Sequence, residues 1–267
     1  LAGIPVVATY HGETGSTAAV RAYELLARLL GNYTSGVAAV SRSLERTLRR
    51  WVRLAPLAFV PNGLPAPLPL TAAERAESRA ALGLRPDELV LAAVGRLSPE
   101  KGHQILLQAL RVLAHPPLLL IAGDGPLRAA LEEQARGLPV RFLGYLADPR
   151  PVFAAADALA IPSLTEGLPL VALEAAALKL PIVASAVGEL PILLAGGAGA
   201  LVPSGAVQPL AQAIESLRER AVRVRLGAAA ALAASAYGAD AMAAGYVALY
   251  RRALSSDSAG KMPSSSR

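Results

Sequence analysis

Two short runs of this chain carry side chains suited to binding anions and polyols. The first is Gly95-Arg96-Leu97-Ser98-Pro99-Glu100-Lys101-Gly102. A guanidinium can grip two phosphate oxygens at once, and an ammonium adds a point charge. Together they could neutralise a diphosphate leaving group where no metal does so. An isolated Arg-Lys pair is more often two solvated surface charges, so Arg96 and Lys101 alone decide little. The second run is Glu166-Gly167-Leu168-Pro169-Leu170-Val171-Ala172-Leu173-Glu174. Gly167 permits close approach of a ligand to the backbone. Pro169 starts a helix, which leaves the free N–H groups around Leu170 and Val171 pointing outward with partial positive charge. Glu174, about a turn on, leans back toward that end and could accept from both hydroxyls of a ribose. Glu166, ahead of the helix, could reach a second polyol. Either glutamate alone also reads as an acidic residue favoured by the helix dipole.

The pattern around these runs explains how they could face one point. Apolar strand-sized runs alternate with amphipathic helices: Pro5 to Tyr10, Gly36 to Val40, Leu57 to Val60, Leu89 to Val94, Leu118 to Ala122, Val140 to Leu143, Ala158 to Ile161, Pro181 to Ala184 and Ala200 to Val202 read as strands. Helices are expected at Thr17 to Leu30, from Ser41 through Arg50, after the capping box Thr71-Ala72-Ala73-Glu74, and from Ser98-Pro99 to about Ala114. Three more close the chain near Val207–Arg220, Val222–Ala234 and Asp240–Leu254. Continuous apolar strands alternating with helices predict an α/β fold with parallel sheets covered on both faces. Ligands of such sheets sit outside the carboxyl ends of the strands. His11, Gly95-Arg96, Gly123-Asp124, Gly144-Tyr145 and Thr165-Glu166-Gly167 all follow strand candidates.

Composition narrows the classes. The chain has 267 residues, 54% hydrophobic and 17% charged, which is too apolar for a disordered chain. No apolar run approaches the roughly 20 residues of a membrane helix, and no basic stretch precedes the first strand as in a signal peptide. The net charge of +6 is scattered. It suits solubility, or attraction to anionic ligands or an anionic membrane face. The aromatic-basic interleaving of a nucleic-acid surface is absent. There is no cysteine, and the histidines His11, His103 and His115 lack ligand spacing, so no metal site is expected. No Gly-x-Gly-x-x-Gly turn follows the first strand, which weighs against a dinucleotide oxidoreductase.

Taken in order, these motifs resemble the C-terminal half of a retaining glycosyltransferase of family four, with the GT-B fold. The run is Val94-Gly95-Arg96 with Glu100-Lys101-Gly102, then Ala122-Gly123-Asp124-Gly125-Pro126, Phe142-Leu143-Gly144, Ala156-Asp157, Pro162-Ser163, Glu166-Gly167-Leu168-Pro169, Glu174-Ala175, Pro181-Ile182-Val183-Ala184 and Leu201-Val202-Pro203. Upstream, Pro5-Val6-Val7-Ala8-Thr9-Tyr10-His11-Gly12, Val40-Ser41-Arg42-Ser43 and Val60-Pro61-Asn62-Gly63-Leu64 resemble the end of the family's N-terminal half. The resemblance implies two Rossmann-like lobes, the N-terminal one incomplete. It implies that Gly95, Arg96 and Lys101 hold the diphosphate of a nucleotide-sugar donor, that Gly167, Leu168, Pro169 and Leu170 bind the donor sugar, and that Glu174 holds the ribose. Leu143, Gly144 and Tyr145 would flank the base, and Glu166 and His11 would be catalytic beside the transferred sugar.

The implied domain plan is a remnant acceptor-binding lobe at 1–66, a nucleotide-sugar-binding lobe at 67–238, a helix at 239–254 returning to the first lobe, and a disordered tail at 255–267. The four prolines between Pro61 and Pro69 suit the hinge. The implied reaction moves a sugar to an acceptor hydroxyl with retained anomeric configuration, with no cofactor and no metal. The implied partners are the nucleotide-sugar and a saccharide or lipid-linked acceptor, not nucleic acid. The implied setting is a bacterial cytoplasm, with peripheral contact at the inner membrane face left open. The resemblance implies that the family's first strands and glycine-rich loop fall ahead of Leu1, which supports a non-catalytic nucleotide-sugar-binding fragment as the rival reading; an epimerase of the same fold is the related runner-up. Lys179 stands where the family commonly has Gly, Glu189 where a second Gly is usual after Gly188, and Ile192 where an acidic residue is common.

Overall fold

The computed structural model describes residues 4–12, 17–65 and 68–259. The chain divides into two compact units, Leu1–Pro65 with Tyr237–Arg267, and Ala66–Ala236. The first change of unit falls inside the proline-rich stretch, of which residues 66 and 67 lie outside the described residues.

The first unit holds β1 (Val7–Tyr10), α1 (Ala18–Leu30), β2 (Gly36–Ala39), α2 (Arg42–Leu48) and β3 (Leu57–Phe59). The strands form a parallel sheet in the order β1-β2-β3. Thr17 and Ser41 cap the helices, their hydroxyls accepting from the amides of Val20 and Leu44. Val37 and Ala39 of β2 pack on Leu44, Leu48, Val52 and Ala55. The alternate residue Ala38 packs on Val60 and on Leu249 of the closing helix, Ala239–Ala259. That helix is anchored where Leu64 and Gly238 form a parallel bridge. It extends past Leu254, the end that its apolar pattern suggests, into the stretch expected as tail; residues 260–267 of that tail lie outside the described residues.

The second unit continues with α3 (Ala72–Ala81), β4 (Val90–Val94), α4 (His103–Arg111), β5 (Leu118–Ala122), α5 (Arg128–Gln134), β6 (Val140–Gly144) and α6 (Arg150–Ala155). It is completed by β7 (Ala158–Ile161), α7 (Leu170–Ala177), β8 (Ile182–Ser185), α8 (Leu190–Leu193), β9 (Ala200–Val202), α9 (Val207–Ser216) and α10 (Arg220–Ala234). One six-stranded sheet runs β6-β5-β4-β7-β8-β9, with every neighbouring pair parallel. Strands β5, β7 and β8 are buried along their whole length, as their continuous apolar runs require. The chain winds outward from β4 through β5 to β6, then returns to lay β7 on the other side of β4. The strand order therefore reverses between β4 and β7, where the loops leaving these two strands must diverge and open a crevice.

Local detail departs from the sequence reading in one place that matters. No continuous helix begins at Pro99. Pro99–Lys101 is a single 3-10 turn, and Gly102 then adopts φ 65° before α4 starts at His103. A Cβ on Gly102 would lie 2.1 Å from the carbonyl oxygen of Pro162, so this close crossing of the β4 and β7 loops needs glycine. Lys179 is the one described non-glycine residue with positive φ, at 61°. It ends α7 in the left-handed conformation that glycine takes without a steric cost.

Candidate functional site

The site is built at the carboxyl ends of β6, β5, β4 and β7. The loops after the first three of these strands are tied by their backbones. The Gly95 amide donates to the Ala122 carbonyl at 2.9 Å, the Gly123 amide to Gly144 at 2.7 Å, and the Leu97 amide to Asp124 at 2.9 Å. Leu97 is fully buried and pins the loop that carries Arg96, which is itself exposed. A cleft of about 340 Å³ opens there, lined by Gly95, Arg96, Gly123, Asp124, Tyr145 and Leu146, among others. Of the residues expected to flank a base, Leu143 and Gly144 end β6 and Tyr145 stands out beside the cleft, 77% exposed.

The β4 and β7 loops meet at the switch point. The Leu164 amide donates to the Glu100 carbonyl at 2.8 Å. The Lys101 ammonium donates to Glu166 Oε1 at 2.7 Å, an ion pair with Glu166 only 9% exposed. The buried Ser163 hydroxyl donates to the same oxygen at 2.7 Å. Behind Glu166, the Glu189 amide donates to the Gly167 carbonyl at 2.8 Å. A Cβ on Gly188 would lie 2.4 Å from the carbonyl oxygens of Glu166 and Gly167, so that approach also depends on glycine, here at φ 60°.

Charge at the site is shaped by burial. Burial alone would push the Glu100 carboxyl up. The Ser98 hydroxyl at 2.5 Å, the Glu100 amide and the charges of Lys101 and Arg96 outweigh it, so the group lies below the usual carboxylate range. His103, next along the chain from Gly102, is 3% exposed; burial and then the Lys101 charge bring its pKa down to about 4. At neutral pH it is therefore uncharged and adds nothing to the cationic side of the site.

Helix α7 begins directly after this loop. Pro169 is its N-cap, at φ −70° and ψ 125°, and Leu170 is exposed beside the free end. Gly167, Leu168 and Pro169 are buried. Glu174 projects from α7 half-buried, and its carboxylate makes no hydrogen bond or ion pair among the described residues. Burial and then the nearby Asp148 carboxylate raise its pKa.

The structure thus gathers Gly95, Arg96, Lys101, Glu166, Gly167, Pro169 and Leu170 at the ends of two adjacent strands. Lys101 is ion-paired with Glu166, which shares its charge, and Glu166 is held by two donors. His11 is an exposed residue directly after β1, in the first unit. Sequence reasoning missed Ser163 as a site residue, although it follows a strand and precedes Glu166 by three positions. It also missed Asp148, which no local pattern links to Glu174.

Comparison with known proteins gives consistent matches. A family model described as glycosyl transferases group 1 matches residues 88–220. The D-inositol 3-phosphate glycosyltransferase of Mycobacterium marinum is 36% identical over an alignment of 211 residues that covers 70% of this chain and 43% of that protein. The protein of the same name from Actinosynnema mirum is 39% identical over an alignment of 156 residues that covers 51% of this chain and 37% of that one. The chain spans less than half the length of these curated relatives. Among solved structures, sucrose-phosphate synthase from Thermosynechococcus elongatus superposes with a TM-score of 0.80 at 29% identity, over 94% of this chain and 68% of that one. Anabaena HepE in complex with UDP-glucose gives 0.79 at 25% identity, over 96% and 72%.

Proposed function

We propose, for a chain that belongs to the group 1 glycosyl transferases, that its second unit binds a nucleotide-diphosphate-sugar and presents the sugar for transfer to an acceptor hydroxyl. One observation carries the reading: the Lys101–Glu166 pair straddles the switch point between β4 and β7, with Glu166 just ahead of the free end of α7 and Lys101 on the connection that also carries Arg96. A cation, a polyol-binding carboxylate and outward-pointing amides are what a sugar diphosphate requires of its site. HepE, solved with UDP-glucose, supports a nucleoside diphosphate as the carrier.

On this reading Arg96 and Lys101 face the diphosphate, with the amides of Leu170 and Val171 adding the α7 dipole. The glycine-lined cleft takes the nucleoside, with Leu143, Gly144 and Tyr145 flanking the base, and Glu174 accepts from the ribose. Gly167 to Leu170 bind sugar hydroxyls and Glu166 serves the transferred sugar. The bond from the anomeric carbon to the phosphate oxygen breaks, and the acceptor oxygen bonds to the same carbon from the same face, which retains the configuration. The acceptor's proton passes to the departing phosphate oxygen. The named curated relatives act on an inositol phosphate, which supports a polyol-type or saccharide acceptor.

The test is calorimetric titration of the chain with UDP, GDP, ADP and their glucose esters. Arg96→Ala should weaken the preferred nucleoside diphosphate roughly tenfold or more, the loss of a charge-assisted contact. Arg53→Ala, an exposed arginine in the first unit, should leave it unchanged. Native affinity in Arg96→Ala, or no binding of any of these ligands by the native chain, would overturn the reading.

A further inference from the structure

We infer that Ser163 is a positioning residue, which fixes the oxygen that Glu166 presents to the donor sugar. The inference rests on the donor-site reading above and extends it to a residue outside the expected set. Both hydrogen bonds to the Glu166 carboxylate converge on a single oxygen. Ser163 Oγ and Lys101 Nζ each donate to Oε1 at 2.7 Å, and no described residue donates to Oε2. A carboxylate with one donor could turn about its terminal torsion, which is broad and roughly two-fold. Two donors on one oxygen, from different directions, remove that freedom.

The Ser163 side is the fixed one. Ser163 is 1% exposed, whereas the Lys101 side chain is 28% exposed and on a flexible stem. The backbone around Ser163 is also held: the Ser204 hydroxyl donates to its carbonyl at 3.4 Å, and the next residue, Leu164, is tied to Glu100. When a diphosphate competes for Lys101, the Ser163 hydroxyl is the donor that remains on Oε1. Glu166 then keeps its orientation at the moment the sugar must be gripped, with Oε2 as its open acceptor.

A merely structural serine would alter stability without separating one ligand from another. The positioning role predicts a split. Ser163→Ala should bind the nucleoside diphosphate as the native chain does, yet bind the corresponding nucleotide-sugar about tenfold more weakly, one charge-assisted hydrogen bond's worth. Ser163→Thr, which keeps the hydroxyl, should recover most of that loss. Both variants are titrated by calorimetry after their melting temperatures are compared with the native chain. Equal losses for the two ligands, no loss for either, or a Ser163→Thr that melts like the native chain yet binds like Ser163→Ala would overturn the assignment of Ser163 alone. A native chain that binds no nucleotide-sugar would overturn the donor-site reading, and this inference with it.

Discussion

Lys101 and Glu166, which are far apart in sequence, meet at 2.7 Å where the loops leaving β4 and β7 cross. Each group changes what the other can do. A diphosphate arriving at Lys101 finds an ammonium already neutralised by a carboxylate, and the carboxylate repels the incoming anion. Glu166→Gln keeps the side chain's shape and can still accept from Ser163, but it removes that charge. The variant should bind nucleoside diphosphate more tightly than the native chain, by about threefold to tenfold for a partly exposed pair. Lys101→Ala should weaken it, and the double variant should show coupling between the two sites. Calorimetric titration of the four proteins with UDP measures this. Weaker binding in Glu166→Gln would show that the carboxylate assists the diphosphate rather than competing with it.

Glu174 should make stability depend on pH in the opposite sense to an ordinary paired carboxylate. Burial and then Asp148 raise its pKa in the folded chain. The folded state therefore binds the proton more readily than the unfolded one, and stability falls as pH rises through the raised pKa. Above that value the charged group is a burden; below the ordinary unfolded value the burden is gone. Glu174→Gln should raise the melting temperature at pH 7 by a few degrees, on the order of 1–3 °C, and by nothing near pH 3.5. If Glu174 also holds the ribose, the same change should weaken nucleotide binding, so stability and binding would move in opposite directions. A melting gain that persists unchanged at low pH would rule out the charge as its cause.

Lys179 and Gly227 test the backbone at the end of α7. Lys179 sits at φ 61°, a conformation that costs an L-residue with a side chain roughly 1–2 kcal/mol. Lys179→Gly removes this cost and adds unfolded-state entropy, for a net gain of about 0.5–1 kcal/mol. Gly227, in α10, packs its α-carbon against the same turn: a Cβ there would lie 2.1 Å from the Lys179 carbonyl oxygen. Gly227→Ala must push α10 and the α7 turn apart and should cost about 2–4 kcal/mol. Urea unfolding reads both. A less stable Lys179→Gly would mean that the lysine side chain contributes more than its backbone costs.

The sequence by itself determined the strands and helices, because periods of burial are local and each apolar run is long enough to show one. It placed Gly95, Arg96 and Glu166 in loops after strands and Glu174 about a turn into the helix that follows, and the motif order pointed to the family. It also marked Lys179 as standing where glycine is usual, which the backbone at φ 61° explains. The tertiary structure decided what meets what. Strand order is set by non-local pairing that no window of sequence contains, and only the return of the chain to lay β7 against β4 brings Lys101 to Glu166. The left-handed turn at Gly102 follows from the Pro162 carbonyl crossing it, a contact between distant segments, so the sequence alone read a helix there. Ser163 and Asp148 acquire their roles the same way: a hydroxyl or a carboxylate is ordinary in a loop until packing puts it beside a glutamate withdrawn from solvent, as Glu166 is largely and Glu174 by half, where low polarisability of the surroundings magnifies each hydrogen bond and each repulsion.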